Sequence, residues 1–480
     1  MKKIVSIITI LLLSLGLLAC IKTPVEDDPK IDIKEGQVAI SMYGVNDLHG
    51  AIFEENGEPG IAKISTYLKE KRAENEEGTL IFSAGDMFQG TAVSSLTKGR
   101  VVVDAMNEIG FDAMGIGNHE FDWGISDIEK FLDGDAETNK MNFPLLGANI
   151  IEKATGEAVP FTKPYTVIEK AGLKIGVVGA IGDYQETSIL TSIIAPYEFT
   201  DTYAALVRNI KILRESEHCD IVVALVHDDT SAINEKLALL KGNERIDAIF
   251  NGHTHRYYAY ETSRDNDVAL PVVQSGSNGN YVGVINLVYD YDLKKVVTVS
   301  AENVNVARRS LKDDKAILNI FKDYQSYIDI ANEKLGKAGM QIDKGDFTQW
   351  AVKALQEENN ADAAFINSGG IRSGFPLYSG SEVTYGSIFK MMPFDNKIVI
   401  TYLTGSEIKA QLSNLVSHVK DGLELDDNKV YKVATIDYVY EKPSYRLQGG
   451  TNTILSDILF RDKLVDAVRH NIEKNGSWKI

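Results

Sequence analysis

The sequence predicts an α/β protein, a sandwich of mixed sheets followed by a smaller α/β domain. Three observations predict it. Short apolar runs bounded by turn residues recur through the first two thirds of the chain, as in strands buried on both faces. An amphipathic stretch near residue 320 then divides the chain. The length of 480 residues, 44% hydrophobic and 25% charged, is enough for two buried cores.

The chain opens with Lys2-Lys3 and the apolar run from Ile4 to Leu18, ending Leu17-Leu18-Ala19-Cys20. That run is short for a membrane span, and a small residue precedes the cysteine, the pattern of a bacterial lipoprotein leader. The expectation is a signal peptide over residues 1–19, cleavage before Cys20 and a lipid on its sulfur. Residues 20–37 are charged, contain Pro24 and Pro29, and read as a solvated tether. The protein is thereby expected outside the cytoplasmic membrane, held to it by the lipid. With Cys20 modified, only Cys219 remains and no intramolecular disulfide is possible.

Four apolar runs each lead into side chains able to bind a cation. Val38 to Val45 ends at Asn46-Asp47-Leu48-His49, and Thr79 to Ser83 ends at Ala84-Gly85-Asp86. Ile221 to Val226 runs into His227, and Ile246 to Phe250 into Asn251-Gly252-His253-Thr254-His255. Asn118 and His119 follow a glycine in Gly117-Asn118-His119-Glu120. Of eight histidines, five (His49, His119, His227, His253, His255) fall in these clusters, a concentration that surface or core filling does not produce. Oxygen and imidazole donors in this mixture suit divalent ions such as zinc, manganese or cobalt, and two ions held close together require a shared carboxylate. Donors at the ends of several strands converge at one edge of a layered domain.

Gly44-Val45-Asn46-Asp47-Leu48-His49-Gly50, Ala84-Gly85-Asp86, Gly117-Asn118-His119-Glu120-Phe121-Asp122 and Gly252-His253-Thr254-His255 resemble the calcineurin-like metallophosphoesterases, and more narrowly the secreted 5′-nucleotidase family. The resemblance implies a four-layer α/β/β/α sandwich binding two divalent metal ions. One would be held by Asp47, His49, Asp86 and His255, the other by Asp86, Asn118, His227 and His253. It further implies His119 as the catalytic histidine and Asp122 as the carboxylate that orients it. The motifs lie within residues 40–285, giving a catalytic domain over 38–308.

Ile317, Phe321, Tyr324, Ile328, Ala331 and Leu335 recur at steps of three and four. That spacing predicts one linker helix over 309–338 and a second domain over 339–480. There the resemblance is looser. Asn367-Ser368-Gly369-Gly370-Ile371-Arg372 resembles the family's substrate segment, implying that Asn367 faces a nucleoside and Arg372 grips phosphate. Met392-Pro393-Phe394 and Ala434-Thr435-Ile436-Asp437-Tyr438 resemble the two segments whose aromatic residues, here Phe394 and Tyr438, sandwich the base. Two departures stand out. The family's Gly-Gly-Asp-Gly turn, whose Asp holds the ribose, is replaced by Val439-Tyr440-Glu441-Lys442-Pro443. No arginine lies between Arg309 and Arg372, where the family places one; Lys344 and Arg446 are the nearest substitutes.

The formal charge of −18 argues against a nucleic acid polymer as partner, while bound metals reverse the field locally for a small anionic substrate. The leading expectation is hydrolysis of nucleoside 5′-monophosphates. Within the enzyme class the alternatives are a 2′,3′-cyclic nucleotide phosphodiesterase, a nucleotide-sugar or dinucleotide pyrophosphatase, or a non-nucleotide phosphatase. Outside it stands a surface binding protein that has lost catalysis, against which the complete donor set weighs.

Overall fold

The computed structural model describes residues 32–134, 139–228, 231–265 and 267–480. The leader, Cys20 and all of the tether before Asp32 lie outside the described residues.

Two six-stranded mixed sheets organise the first two thirds of the chain. The first runs in the order Lys295–Asn305, Tyr281–Asp290, Gln37–Val45, Thr79–Ser83, Ala113–Gly115, Leu145–Leu146. The second runs Tyr257–Arg264, Asp267–Ser275, Ala248–Asn251, Ile221–His227, Leu173–Ile181, Tyr165–Lys170. The central strands are parallel, so Val45, Ser83 and Gly115 finish at the same end of the first sheet. His227 and Asn251 likewise finish together in the second. Every residue of Thr79–Ser83 and Ile221–His227 is buried, as strands covered on both faces require.

Apolar packing falls into the four layers that the resemblance implies. Ile40, Met42, Leu80 and Phe82 meet Val177, Val223 and Leu225 between the sheets. Outside the first sheet lie the helices Ile61–Glu74 and Arg100–Ile109, the latter burying Val102, Val103, Met106 and Ile109 and ending at Gly110 in a left-handed conformation (φ 83°). The helix Thr202–Glu215 covers the second sheet through Leu206, Ile210 and Leu213.

The single helix expected over 309–338 does not form. A helix Lys315–Asp323 is followed by a break at Tyr324, a second helix Gln325–Ala331, and a strand Lys334–Lys337. Asp314 starts the first helix, its carboxylate accepting the Ala316 N–H at 2.9 Å, so the residues before it stay outside. Tyr324 leaves helical geometry (φ −104°, ψ 15°) as its hydroxyl donates to Asp104 at 2.6 Å. Lys334–Lys337 is drawn into an antiparallel pair with Glu382–Thr384, which satisfies backbone groups that a helix end would leave open. Ile317, Phe321 and Tyr324 of the apolar period enter the core of the first sheet and Ile328 and Ala331 pack against it, while Leu335 packs against the core of the last third.

The last third has a five-stranded sheet in the order Val416–Val419, Ala363–Ile366, Val430–Ile436, Lys397–Thr404, Thr451–Leu459. Helices Lys344–Glu358 and Phe460–Asn475 pack on it around a separate core containing Phe347, Phe365, Phe460 and the fully buried Trp478. Residues Ile33–Ile480 nonetheless make one compact unit.

Candidate active site

Strand ends and the turns after them bring the predicted donors together in two groups. The ligand-type atoms of Asp47, His49 and His255 lie within 4.8 Å of one another, and so do those of Asp86, His227 and His253. Asn118 belongs to the second group, its Oδ1 lying 3.2 Å from His227 Nε2 and 3.0 Å from His253 Nδ1. The loops carrying them are laced together: Asp47 N–H donates to Gly85 O, and His49 N–H to Asp86 O. His119 N–H donates to Asp86 Oδ1 at 2.8 Å, and His253 N–H to the Asp47 carboxylate at 3.0 Å.

The backbone is strained where the donors sit. Asp47 (φ 49°), His49 (49°), Asp86 (56°), His253 (81°) and His255 (60°) are in the left-handed region. Holding a non-glycine residue there costs about 1–3 kcal/mol, and such strain collects at functional sites. Gly85 (φ 97°) allows the close approach of the loops, because a Cβ there would lie 2.7 Å from both Gly117 N and His227 Nδ1.

The donor set fits divalent cations. His49 Nδ1 faces Gln89 O at 3.0 Å and His227 Nδ1 faces Ala84 O at 2.7 Å, so each Nδ1 carries the proton. That arrangement turns the Nε2 atoms inward as ligands, as carbonyl partners do at metal-bound histidines. Burial holds His253 and His255 down at about 4 and His49 well below the usual range, leaving neutral imidazoles at neutral pH. Two such lone pairs, on His49 Nε2 and His255 Nε2, face each other across 2.9 Å with Asp47 Oδ1 3.6 Å from the latter, a place for positive charge. Burial pushes Asp47 up to about 7. His227 is the exception: burial opposes its protonation, but Asp86 at 3.2 Å outweighs it and raises the imidazole to about 10. Asp86 is itself held well below the carboxylate range, His227 and His119 outweighing the cost of burial. The His227–Asp86 contact therefore also requires a positive charge, from a proton or a metal ion.

Beside the groups stands the predicted pair. His119 Nδ1 lies 2.9 Å from Asp122 Oδ2, and Nε2 points away from it. Burial works against protonation of His119, yet Asp122 and Asp86 outweigh it and lift its pKa above the ordinary value.

Some organising residues leave no separate motif. Glu120 is buried, and its Oε2 accepts N–H bonds from Asp86 (2.9 Å) and Gly117 (2.8 Å) while Oε1 accepts from Met87 (2.9 Å). It thus clamps the Asp86 loop to the loop bearing Asn118. Asn46 donates to Asp47 Oδ2 and to Gly276 O. Gln89, whose carbonyl receives His49, donates from its side chain to Pro393 O at 2.9 Å, joining the donor loops to the last third of the chain. Glu120 is visible inside its motif as a glutamate beside two polar residues; Gln89 carries no signal.

A cavity of about 440 Å³ opens onto Asp86, Asn118, His119 and His253, and its lining also includes Asn367, Arg372, Phe394 and Tyr438. All four predicted substrate residues are thus brought to the same space. Phe394 stacks on His119 (centroids 5.6 Å, planes 27° apart), and the Arg372 guanidinium lies 5.0 Å from the Phe394 ring. Arg372 Nη2 donates to His119 Nε2 at 3.0 Å. Asn367 Oδ1 is buried and has no hydrogen-bond partner among the described residues. Buried Arg461 donates to Phe394 O at 3.2 Å and Asp437 accepts from Asn396, Lys397 and Tyr438, fixing both aromatic segments. Of the two substitutes for the missing arginine, Arg446 does not line this cavity and Lys344 lines a neighbouring one.

Residues 41–257 match the model of the calcineurin-like phosphoesterases, the class that this fold and donor set define. Residues 329–422 match the 5′-nucleotidase C-terminal domain. With both matches in this order, the chain resembles the 5′-nucleotidases, metal-dependent phosphoric ester hydrolases. It is 29% identical over 481 residues to a 5′-nucleotidase of Vibrio vulnificus, covering 86% of this chain and 85% of that one. It is 28% identical over 415 residues to endonuclease YhcR of Bacillus subtilis, covering 80% of this chain but only 33% of that much longer protein. The fold matches the crystal structure of a 5′-nucleotidase precursor from Thermus thermophilus at a TM-score of 0.76, with 18% identity over 90% of this chain and 96% of that one.

Proposed function

We propose that the chain hydrolyses nucleoside 5′-monophosphates to nucleoside and phosphate outside the cytoplasmic membrane, anchored through a lipid on Cys20. The observation that carries the reading is one cavity lined by predicted metal donors, by the His119–Asp122 pair and by Phe394, Tyr438, Asn367 and Arg372.

In this reading Asp47, His49, Asp86 and His255 hold one divalent ion, and Asp86, Asn118, His227 and His253 the other, zinc or manganese suiting the donors. When bound, the ions supply Lewis-acid charge at the phosphoryl oxygens and make water acidic enough to serve as nucleophile at neutral pH. Asp122 accepts the Nδ1 proton of His119 and fixes the ring, so that Nε2 presents a proton to the leaving oxygen. Arg372, now bonded to that Nε2, is within reach to pass to a phosphate oxygen, for which its planar fork is suited. Phe394 and Tyr438 supply stacking faces that are indifferent to base edges, and the absent Gly-Gly-Asp turn leaves the sugar loosely held. Base and sugar selectivity is therefore broad. Residues 38–308 would form the catalytic domain and 339–480 the substrate domain.

The test is a substrate panel on protein stripped with a chelator and reloaded with Mn²⁺ or Zn²⁺. Release of phosphate from AMP and UMP only after reloading is expected. A stripped protein as active as the reloaded one, or a reloaded protein inert towards every nucleotide, refutes the reading.

A further inference from the structure

Gln89 faces two ways. Its carbonyl receives His49 Nδ1 at 3.0 Å, on the side of the donors. Its carboxamide Nε2 donates to the carbonyl of Pro393 at 2.9 Å, and Pro393 directly precedes Phe394. Gln89 is 2% exposed and the bond to Pro393 is buried. Other hydrogen bonds join the same two parts of the chain. The Tyr438 hydroxyl donates to Thr187 O at 3.1 Å and Ser192 N–H to Glu441 at 2.9 Å, and both of these are exposed. A bond out of water is electrostatically stronger than one that water can reach.

Both ends of the Gln89 contact are fixed. On the donor side, Thr91 N–H donates to His49 O at 3.1 Å, and a Cβ on Gly90 (φ 154°) would collide with that same oxygen. Residues 89–91 therefore lie tight against His49. On the other side, Pro393 O also accepts from Arg461 Nη1 at 3.3 Å. Arg461 is 3% exposed, pairs with Asp395 at 2.7 Å and stands 3.8 Å over the Phe389 ring, so that carbonyl is held by a rigid group.

On the function proposed above, on which this inference rests, the donor side holds the phosphate and Phe394 stacks on the base. A molecule that joins phosphate to base gains from both sites only when they are held in register. A displacement of about 1 Å can cost about 10²-fold in rate. We propose that Gln89 is a positioning residue for nucleotides. It fixes Phe394 at a set distance from the metal donors, so that stacking of the base and engagement of the phosphate reinforce each other. A ring-free ester uses the donor side alone and draws nothing from this contact.

Gln89→Met keeps the backbone carbonyl that receives His49 and the length of the side chain, and removes the donor. Gln89→Leu does the same with a shorter side chain. In metal-reloaded protein each is expected to lower the AMP-to-glycerol-phosphate ratio of kcat/KM at least tenfold. In a Phe394→Ala background the same substitutions should change that ratio less than twofold, because the face that Gln89 positions is gone. A merely structural role would give equal factors in the two backgrounds. Binding is read separately, by calorimetry of the uncleavable methylene phosphonate of AMP, of adenosine and of inorganic phosphate. The affinity of the joined molecule, relative to the product of the affinities of its two halves, should fall at least tenfold in Gln89→Met. A smaller fall of the kinetic ratio in both variants, equal factors in the two backgrounds, or an undiminished gain from joining the halves overturns the positioning role and leaves the nucleotidase standing. A reloaded wild-type protein that cleaves glycerol phosphate but neither binds nor cleaves AMP instead refutes the nucleotide reading and, with it, this proposal.

Discussion

His119 is the residue at which chemistry and coordination separate. Its Nδ1 is committed to Asp122 and its Nε2 to Arg372, leaving no ring nitrogen for either donor group. His119→Ala should therefore retain both metals by elemental analysis while turnover falls by about 10²–10⁴, the usual worth of a positioned acid or base. Loss of metal in step with activity would make His119 a ligand. Asp86→Ala should do the opposite, losing metal and with it activity on every ester, a generic aryl phosphate included; full metal content in that variant would end its bridging role. The donors are legible in the sequence because a metal dictates side-chain type, and motifs record side chains. The residues that hold them are less so. Gln89 and Asn46 each donate from a side-chain carboxamide to a backbone carbonyl distant in sequence, 304 and 230 residues away, and no local spacing reports such a contact.

At the scale of elements, the strands are legible in the sequence and the linker is not. Thr79–Ser83 and Ile221–His227 are buried on both faces, so composition alone marks them. The linker's apolar period runs on to Leu335, which packs against the core of the last third, and only pairing with Glu382–Thr384, distant in sequence, makes Lys334–Lys337 a strand. Asp314, which starts the helix Lys315–Asp323, offers a stability test. Burial opposes its ionisation, but hydrogen bonds from Lys69 (2.8 Å), Ser65 (2.6 Å) and Ala316 N outweigh it and hold the carboxyl below the usual range. A carboxyl with a depressed folded-state pKa contributes stability that is fully present above its unfolded pKa of about 3.9 and is lost as pH falls through the folded value. Asp314→Asn keeps a capping oxygen and removes the charge. Its deficit in Tm should be constant near neutrality and shrink as pH drops below about 4, whereas Asp314→Ala should also lose about 0.5–2 kcal/mol of cap. An Asn variant whose deficit persists unchanged at the lowest accessible pH would rule out the charge as its source.

On the proposed reading, where the molecule sits depends on its first residues. Among the described residues no helix is long and apolar enough to cross a membrane. If Cys20 carries the anchor, Cys20→Ser should move the protein from the membrane fraction to the soluble fraction, or leave it unprocessed. A processed Cys20→Ser protein that still sediments with membranes would discard the lipid.

The cavity draws its lining from both sides of the linker in sequence, so on the proposed reading the whole molecule determines what is cut. Phe394 stacks on His119, so on the proposed reading the aromatic face meant for a base is held against the His119–Asp122 pair. A stacking face is worth about 1–3 kcal/mol, which is roughly 5- to 150-fold in binding. Phe394→Ala should therefore raise KM for AMP and UMP within that range and leave a ring-free phosphate ester nearly unaffected. Arg372→Ala removes a charge-assisted contact to phosphate itself and should impair every monoester, ringed or not. The two variants thus distinguish a surface that selects the nucleoside from a group that serves the phosphate. If Phe394→Ala is silent on all substrates while Arg372→Ala is not, the last third of the chain grips phosphate alone. The enzyme is then a phosphatase of small organic esters rather than of nucleotides.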